Sequence, residues 1–334
     1  MSKIAIVILN WNGKPLLEKY LPSVVQYSEG ATIYVVDNAS DDDSVKFLEE
    51  NYPSIGVIEN SENGGFAKGY NDGLQHIDAD IYCLLNSDVE VTPNWLEPIG
   101  SLFSEKEKIA IIQPKILNLR SREYFEYAGA AGGFIDKLGY PFCRGRIFQA
   151  LEKDIGQYDD DREIFWATGA CMFIKREVFH ELGGFDEDYF AHQEEVDLCW
   201  RAQNSGNVVY YTAQSHVYHL GGSTLNNMNP KKTYLNFRNS LFSITKNLSP
   251  RKALMIIFLR LLLDGVAAVR FIFQLKWNHC WAILRAHLSF YRQFPKMYKK
   301  REKANFIPKY YVTKSIVWSH FVHQINNFNV LVKD

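Results

Sequence analysis

Ile81-Tyr82-Cys83-Leu84-Leu85-Asn86-Ser87-Asp88-Val89-Glu90-Val91 decides how the rest of this chain is read. Its apolar half is too short for anything but a buried strand, and it stops abruptly at Asn86, Ser87 and Asp88, with Glu90 close behind. Open α/β sheets place their ligands beyond the carboxyl ends of their strands. A carboxylate at that point, among hard oxygen donors, suits Mg²⁺ or Mn²⁺ bridging to phosphate. The same residues also spell an ordinary Asn/Ser/Asp turn after a strand, so the neighbouring segments have to decide between the two.

Working outward, the first part of the chain alternates strand and helix patterns. Ile4–Leu9 reads as a continuous apolar strand, Leu16–Gln26 as a helix, Thr32–Val36 as a strand ending at Asp37-Asn38, and Asp43–Asn51 as a helix with Ser40 or Asp41 as its N-cap. Val57–Glu59 is a short strand and Ala67–His76 a helix. Continuous apolar strands separated by helices imply a parallel sheet covered on both faces, hence an open doubly wound α/β fold. Residues 116–165 are glycine-rich and less regular. Trp166–Lys175 (strand), Arg176–Leu182 (helix), Glu195–Ser205 (helix) and Val208–Tyr211 (strand) then complete a unit expected to end near Thr224. The expected division is a catalytic unit over 1–225 and a helical region over 226–334.

Bulk properties narrow the classes. The chain has 334 residues, 47% of them hydrophobic, enough for a large core, and its net charge of −1 provides no field to recruit nucleic acid. Five cysteines without a CxxC pair argue against a disulfide framework or a zinc site and suit a reducing cytosol. The apolar stretch at Ile4–Leu9 is too short for a signal peptide and runs into Asn10-Trp11-Asn12-Gly13. Without a secretion signal, the sequons at Asn38 and Asn247 read as chance.

Four polar clusters fall at strand ends or in loops. Asp37 could accept the imide N–H of a pyrimidine base or cap the next helix. Asn63-Gly64-Gly65-Phe66-Ala67-Lys68-Gly69-Tyr70-Asn71 puts glycines before a helix, where backbone can approach a diphosphate, yet it lacks the Gly-Lys-Ser/Thr of a triphosphatase loop. Asn86-Ser87-Asp88 is the third. His192-Gln193-Glu194-Glu195-Val196-Asp197 is the fourth, with three carboxylates at a helix start, where the dipole favours anions.

Taken together, Ile6–Asn12, Val36–Ser40, Asn63–Ala67, Leu85–Asp88, Gly169–Met172, Gly183–Asp186, Glu194–Leu198 and His219-Leu220-Gly221-Gly222-Ser223 resemble the family-2 inverting glycosyltransferases of the GT-A fold, closest to the bacterial rhamnosyl- and galactosyltransferase-like members. The resemblance spans roughly residues 3–225. It implies a UDP- or dTDP-sugar donor held by Asn10, Asp37, Asn38, Asn63, Gly65, Asn71 and Asn86, with Asp37 pairing to the pyrimidine. It implies Mn²⁺ or Mg²⁺ on Asp88, the last carboxylate of the family's DxD motif, and on His219. Asn86 departs from the motif, standing where many members have Asp. Glu194-Glu195 match the family's Glu-Asp pair, of which one member acts as base. Direct displacement with a nucleoside diphosphate leaving group needs one base and a divalent ion, whereas a glycoside hydrolase needs two opposed carboxyls. A sugar nucleotidyltransferase would need a basic glycine-rich loop that Asn10–Lys14 does not supply, and a non-catalytic nucleotide-sugar-binding scaffold is the other rival.

Beyond residue 226, Tyr234–Leu248 and Arg251–Gln274 read as helices. In the second, Lys252, Arg260, Asp264, Arg270 and Gln274 fall within an arc of about 120°. A spanning helix would bury three charges, so the segment is expected to lie in the membrane plane with that stripe in water and its apolar face in lipid. Aromatic residues and a basic flank at Arg292–Lys303 suit an anionic cytoplasmic leaflet. A homodimer interface is the alternative use of such a region. The expected setting is therefore the inner face of the plasma membrane, with a glycan or lipid-linked glycan as acceptor in surface polysaccharide assembly.

Overall fold

The computed structural model describes residues 2–221, 229–301, 306–307 and 309–333. The chain runs β1 (Ile4–Asn10), α1 (Lys14–Tyr27), β2 (Thr32–Asp37), α2 (Ser44–Asn51), β3 (Gly56–Glu59), α3 (Gly65–Leu74), β4 (Ile81–Asn86), β5 (Val89–Val91), α4 (Glu97–Glu105) and β6 (Ile109–Asn118). A region of short strands follows: β7 (Gly133–Ile135), β8 (Pro141–Cys143), β9 (Arg146–Ile147), β10 (Ala150–Leu151) and β11 (Arg162–Glu163). Then come β12 (Cys171–Lys175), α5 (Arg176–Glu181), α6 (Glu194–Asn204), β13 (Val208–His219) and the long helices α7 (Pro230–Asn247), α8 (Pro250–Phe273) and α9 (Trp277–Lys299).

The central sheet runs in the order β11-β13-β6-β12-β4-β1-β2-β3, with β5 beside β13, and a separate four-stranded sheet holds β7–β10. Alternate residues of each strand feed two different cores. Ile6 and Ile8 of β1 join Leu17, Leu21, Leu48, Trp95 and Ile99 on one face, whereas Ala5 and Val7 join Tyr70, Leu74, Phe179 and Trp200 on the other. That double coverage is why these strands read as unbroken apolar runs. The α/β, GT-A-like, mostly parallel sheet flanked by helices is as expected, with three differences.

β12 is antiparallel to both β4 and β6. A parallel return requires a crossover, and β12 is reached through the short-strand region instead. It also begins at Cys171, because Trp166 is engaged with Gly133 of the small sheet. Secondly, α4 and β6 were not anticipated, although β6 is buried along nearly its whole length beside β13.

The third difference concerns α8. Its polar stripe does not face water as a unit. Lys252, Arg270 and Gln274 are exposed, but Arg260 and Asp264 turn inward and are buried. Arg260 Nε and the Tyr140 hydroxyl donate to Asp264 Oδ1 at 3.3 and 2.8 Å, and His287 Nε2 lies 3.0 Å from Asp264 Oδ2. Arg260 also donates to Ser240 Oγ and lies over the Tyr140 ring at 3.7 Å. Burial pushes the Asp264 carboxyl up, and Arg260, His287 and Tyr140 together hold it below the usual carboxylate range. Burying a charge is costly mainly when it lacks partners, and here the rest of the fold provides them. The helix thus seats its charged pair on the protein and presents Leu254, Phe258, Leu262, Val266 and Phe273 outward. The expected boundary near 225 and the Gly222-Ser223 end of the last motif lie outside the described residues.

Candidate active site

Strand register assembles the first half of the site. β1 and β2 pair so that Asn10 lies opposite Asp37, and β1 and β4 pair so that Leu9 lies opposite Asn86. Three parallel strands therefore deliver their terminal polar residues side by side at the carboxyl edge of the sheet. Asp37 is buried. Its Oδ1 accepts from Asn10 Nδ2 (2.9 Å) and Ser40 Oγ (2.6 Å), and its Oδ2 from Ser40 N (2.8 Å). It closes a turn over Ala39 and caps no helix: α2 starts at Ser44 after Asp43, not Ser40 or Asp41, and has no side-chain cap bond. A carboxylate has about four lone-pair positions, so among the described residues one acceptor direction on Asp37 is left. Asn10 Oδ1 is buried and unpartnered among the described residues.

Asn38, Asn63 and Gly65 form one unit. Asn38 Nδ2 donates to Asn63 Oδ1 and to Gly65 O, and Asn63 Oδ1 also accepts from Gly65 N. Gly65 has φ +81°, and a Cβ there would lie 2.6 Å from Phe190 O, so only glycine fits this approach. Asn71 stands apart. Its amide brackets Phe185, donating to Phe185 O and accepting from Phe185 N, and so holds the turn after Gly183-Gly184.

The second corner gathers Asn86, Asp88 and His219. Asp88 and His219 are buried, with His219 Nε2 3.1 Å from Asp88 Oδ1 and 3.4 Å from Asn86 Nδ2. On the far side of the ring, Nδ1 lies 3.2 Å from Glu126 Oε2. Burial lowers the His219 pKa, but Glu126 and Asp88 raise it more, to about 10. An imidazole between two buried carboxylates is a site built for positive charge, and a carboxylate behind a histidine is the usual support for a metal ligand. Among the described residues no three His, Cys, Asp or Glu side chains form a complete cage. The donor set itself, the Asp88 carboxylate and the His219 imidazole with Glu126 behind it, is one that a divalent ion can use. Glu126 could not be found from sequence: it lies in the irregular 116–165 region with no motif around it.

The third corner is the start of α6. Glu194 is buried and Glu195 half-buried. Burial and the neighbouring Glu195 push the Glu194 carboxyl well above its usual range. Burial pushes Glu195 up to about 7, although the backbone N–H groups at the helix start oppose this. Each retains an Oε2 with no hydrogen-bond partner among the described residues. Asp197 has a different role. It is fully buried and receives Arg201 Nε, Lys246 Nζ and Asn247 Nδ2, each at 2.8 Å, which anchors α6 to α7. The turn before α6 reaches back to the glycine loop, where Phe66 N donates to Phe190 O at 2.9 Å.

Residues 5–183, over half of the chain, match glycosyl transferase family 2, and the chain belongs to that family. It is 24% identical over 235 residues (65% of this chain, 75% of the relative) to the N-acetylglucosaminyl-diphospho-decaprenol L-rhamnosyltransferase of Mycobacterium tuberculosis. It is 23% identical over 284 residues (83% of this chain, 87% of the relative) to the low-salt glycan biosynthesis hexosyltransferase Agl10 of Haloferax volcanii. Its fold is similar to that of S. aureus TarS 1–349 in complex with UDP-GlcNAc, with a TM-score of 0.58 at 13% identity, covering 90% of this chain and 84% of that one. It is also similar to the mannosyltransferase PcManGT from Pyrobaculum calidifontis in complex with GDP-Man and Mn²⁺, with a TM-score of 0.54 at 12% identity, covering 87% of each chain. The fold is GT-A and the chain is a glycosyltransferase.

The raised carboxyls at 194 and 195 carry a stability signature. The folded state keeps protons there that the unfolded state has already lost, so stability falls as pH rises from the ordinary value of 4.5 towards about 7. Glu195→Gln is expected to stabilise the protein by on the order of 1–3 kcal/mol at pH 8 and to have little effect near pH 4.5. Urea unfolding of wild type and variant across that range measures it, and parallel stability curves would contradict it.

Proposed function

We propose that this chain is an inverting glycosyltransferase that moves a sugar from a UDP- or dTDP-sugar to a lipid-linked glycan acceptor in cell-surface polysaccharide assembly. The observation that carries the reading is the Asn10–Asp37 pair and the Asp88–His219 pair at strand ends, with Asn38 bonded to the glycine loop and that loop bonded to Phe190 in the turn before Glu194–Glu195. The remaining acceptor direction on Asp37 suits the imide N–H of uracil or thymine. Asp88 and His219 would hold Mn²⁺ or Mg²⁺, with Asn86 beside them. When bound, that ion offsets the charge that develops on the departing diphosphate.

Glu195 is the better of the two bases. A general base works best with a pKa near the working pH, and Glu195, half-buried and pushed up to about 7, meets that condition, whereas burial and the neighbouring Glu195 push the more deeply buried Glu194 well above its usual range. Glu195 takes the proton of the acceptor hydroxyl as its oxygen bonds to the anomeric carbon. The bond from that carbon to the diphosphate oxygen breaks on the opposite face, so the configuration inverts. The lipid-linked acceptor is supported by the diphospho-decaprenol substrate in the name of the mycobacterial relative.

The membrane setting rests on α8 and α9. No helix among the described residues is long and apolar enough to cross a membrane. The outward face nevertheless carries Phe258, Leu262, Val266 and Phe273 on α8 and Trp277, Trp281, Leu284 and Leu288 on α9, with Phe273 84% exposed. Arg251, Lys252, Arg270, Arg285, Arg292 and Lys299 are exposed around it, and the one carboxylate on the two helices, Asp264, is buried. An anionic bilayer complements that charge, whereas a second copy placed face to face would oppose like charges. The assigned location is the inner, anionic face of the plasma membrane.

Glu195→Gln is expected to lower kcat by about 10²–10⁴-fold while leaving donor affinity intact, and proton NMR of the product should show an anomer opposite to that of the donor. Turnover at the wild-type rate, or a retained configuration, would sink the reading. In co-sedimentation, wild type is expected to bind vesicles containing an anionic lipid and not neutral ones, and Phe258→Glu with Phe273→Glu to abolish binding. If those changes instead turn a dimer into a monomer with vesicle binding unaltered, the face is an interface between copies.

A further inference from the structure

The chain enters α6 through a strained turn. Phe190, His192 and Gln193 have φ of +64°, +69° and +72°, and none is glycine. At Phe190 ψ is −58°, and Ala191 N donates to Tyr189 O at 2.8 Å, which makes the segment a γ-turn of the rarer, strained hand. Such conformations persist where the surroundings over-determine them, and they cluster at functional sites. Here the surroundings can be named carbonyl by carbonyl. Phe190 O accepts from Phe66 N and Ala67 N of the glycine loop. All the others face α7. Asn239, fully buried, donates its amide to Tyr189 O (3.0 Å), Ala191 O (3.0 Å) and His192 O (2.7 Å). Arg238 Nη2 donates to Asp188 O (2.9 Å) and Tyr189 O (3.1 Å), and Arg238 Nε donates to Asn239 Oδ1 (2.8 Å), which fixes the orientation of the amide.

We propose that Arg238 and Asn239 are positioning residues for the glycosyl transfer: by holding the carbonyls of 188–192 they keep the strained turn that aims Glu195 at the acceptor hydroxyl. The proposal rests on Glu195 being the base. Five carbonyls in succession have partners, and two adjacent side chains of one helix serve four of them. Neither side chain reaches the donor loop, so their loss should leave donor binding unchanged and misplace the base. A misplacement of about 1 Å costs on the order of 10²-fold in rate. A merely structural role would look different. Ser240, the next residue on α7, is also buried and hydrogen-bonded, but to Arg260 and away from the turn.

The test compares wild type, Asn239→Ala, Arg238→Lys and the control Ser240→Ala. The readouts are release of nucleoside diphosphate from UDP- and dTDP-sugars with a polyprenyl-diphosphate-linked N-acetylglucosamine acceptor, donor affinity by calorimetry, melting temperature, and amide hydrogen exchange at 189–195. The expected result for Asn239→Ala is a fall in kcat of about 100-fold, donor Kd within twofold of wild type, and faster exchange confined to 189–195. Ser240→Ala should show a lower melting temperature with kcat retained. Should Asn239→Ala fail to fold, Arg238→Lys, which keeps the charge and loses the fork, should show the same split in milder form. Wild-type kcat in the Asn239 and Arg238 variants, or a loss in step with melting temperature across all three, would overturn the proposal. A wild type that transfers no sugar would instead overturn the proposed reaction beneath it, with exchange at 189–195 still reporting whether the clamp exists.

Discussion

The in-register pairing of β1 with β2 and β4 is the constraint on which the site depends. It puts Asn10 opposite Asp37 and ends β4 at Asn86 one step away. Because side chains alternate along a strand, a slip of one residue would turn each of these groups to the opposite face. The two apolar cores prevent that slip: each strand has buried residues on both sides, and both sets would be misplaced together. Hydrophobic packing on the two faces of the sheet thus fixes where three polar residues stand at its edge.

The helices after residue 229 are tied to this site by charge. Lys246 and Asn247 of α7 reach Asp197 below the carboxylate pair, and Lys246 also meets Asp186 at 2.7 Å. Lys296 of α9 pairs with Asp188 in the single 3₁₀ turn that leads into the strained turn. On the other side of the same helices, Arg260 and Asp264 pin α8 to Tyr140. A buried pair is destabilising when one partner is lost, by about 3–5 kcal/mol, so the buried pairs of Lys246 and of Arg260 fix where α7 and α8 sit rather than add much net stability. The helical region that presents an apolar face outward is therefore also the one whose side chains meet α6 and the turn before it.

Much of this was legible in the sequence, for identifiable reasons. Strands covered on both faces leave unbroken apolar runs, and Ile4–Leu9 and Ile81–Leu85 were read correctly because nothing else fits so short a run. The glycine at 65 and the acidic start of α6 were legible because only glycine suits that conformation and because carboxylates favour a helix N-terminus. What was missed depends on tertiary contacts. Helical periodicity groups Arg260 and Asp264 with Lys252 and Arg270 but cannot reveal that Tyr140 and His287 await two of them. Glu126 has no pattern around it, and Asn239 is one polar residue in a helix until its carbonyl partners, nearly fifty positions earlier, are brought beside it. Asn71 shows the converse: it lies among motif residues, but its amide is used to hold Phe185.

The proposed function makes the row of strand ends, with Asp88 and His219 at its corner, a metal-dependent site for a pyrimidine nucleotide sugar. Calorimetry of UDP, dTDP and GDP, with and without Mn²⁺, on wild type and Asp88→Ala tests it most directly. UDP or dTDP is expected to bind more tightly with Mn²⁺, GDP to bind weakly, and the Mn²⁺ enhancement to disappear in the variant. Binding of none of the three, or binding of UDP or dTDP to Asp88→Ala with the Mn²⁺ enhancement intact, would contradict it.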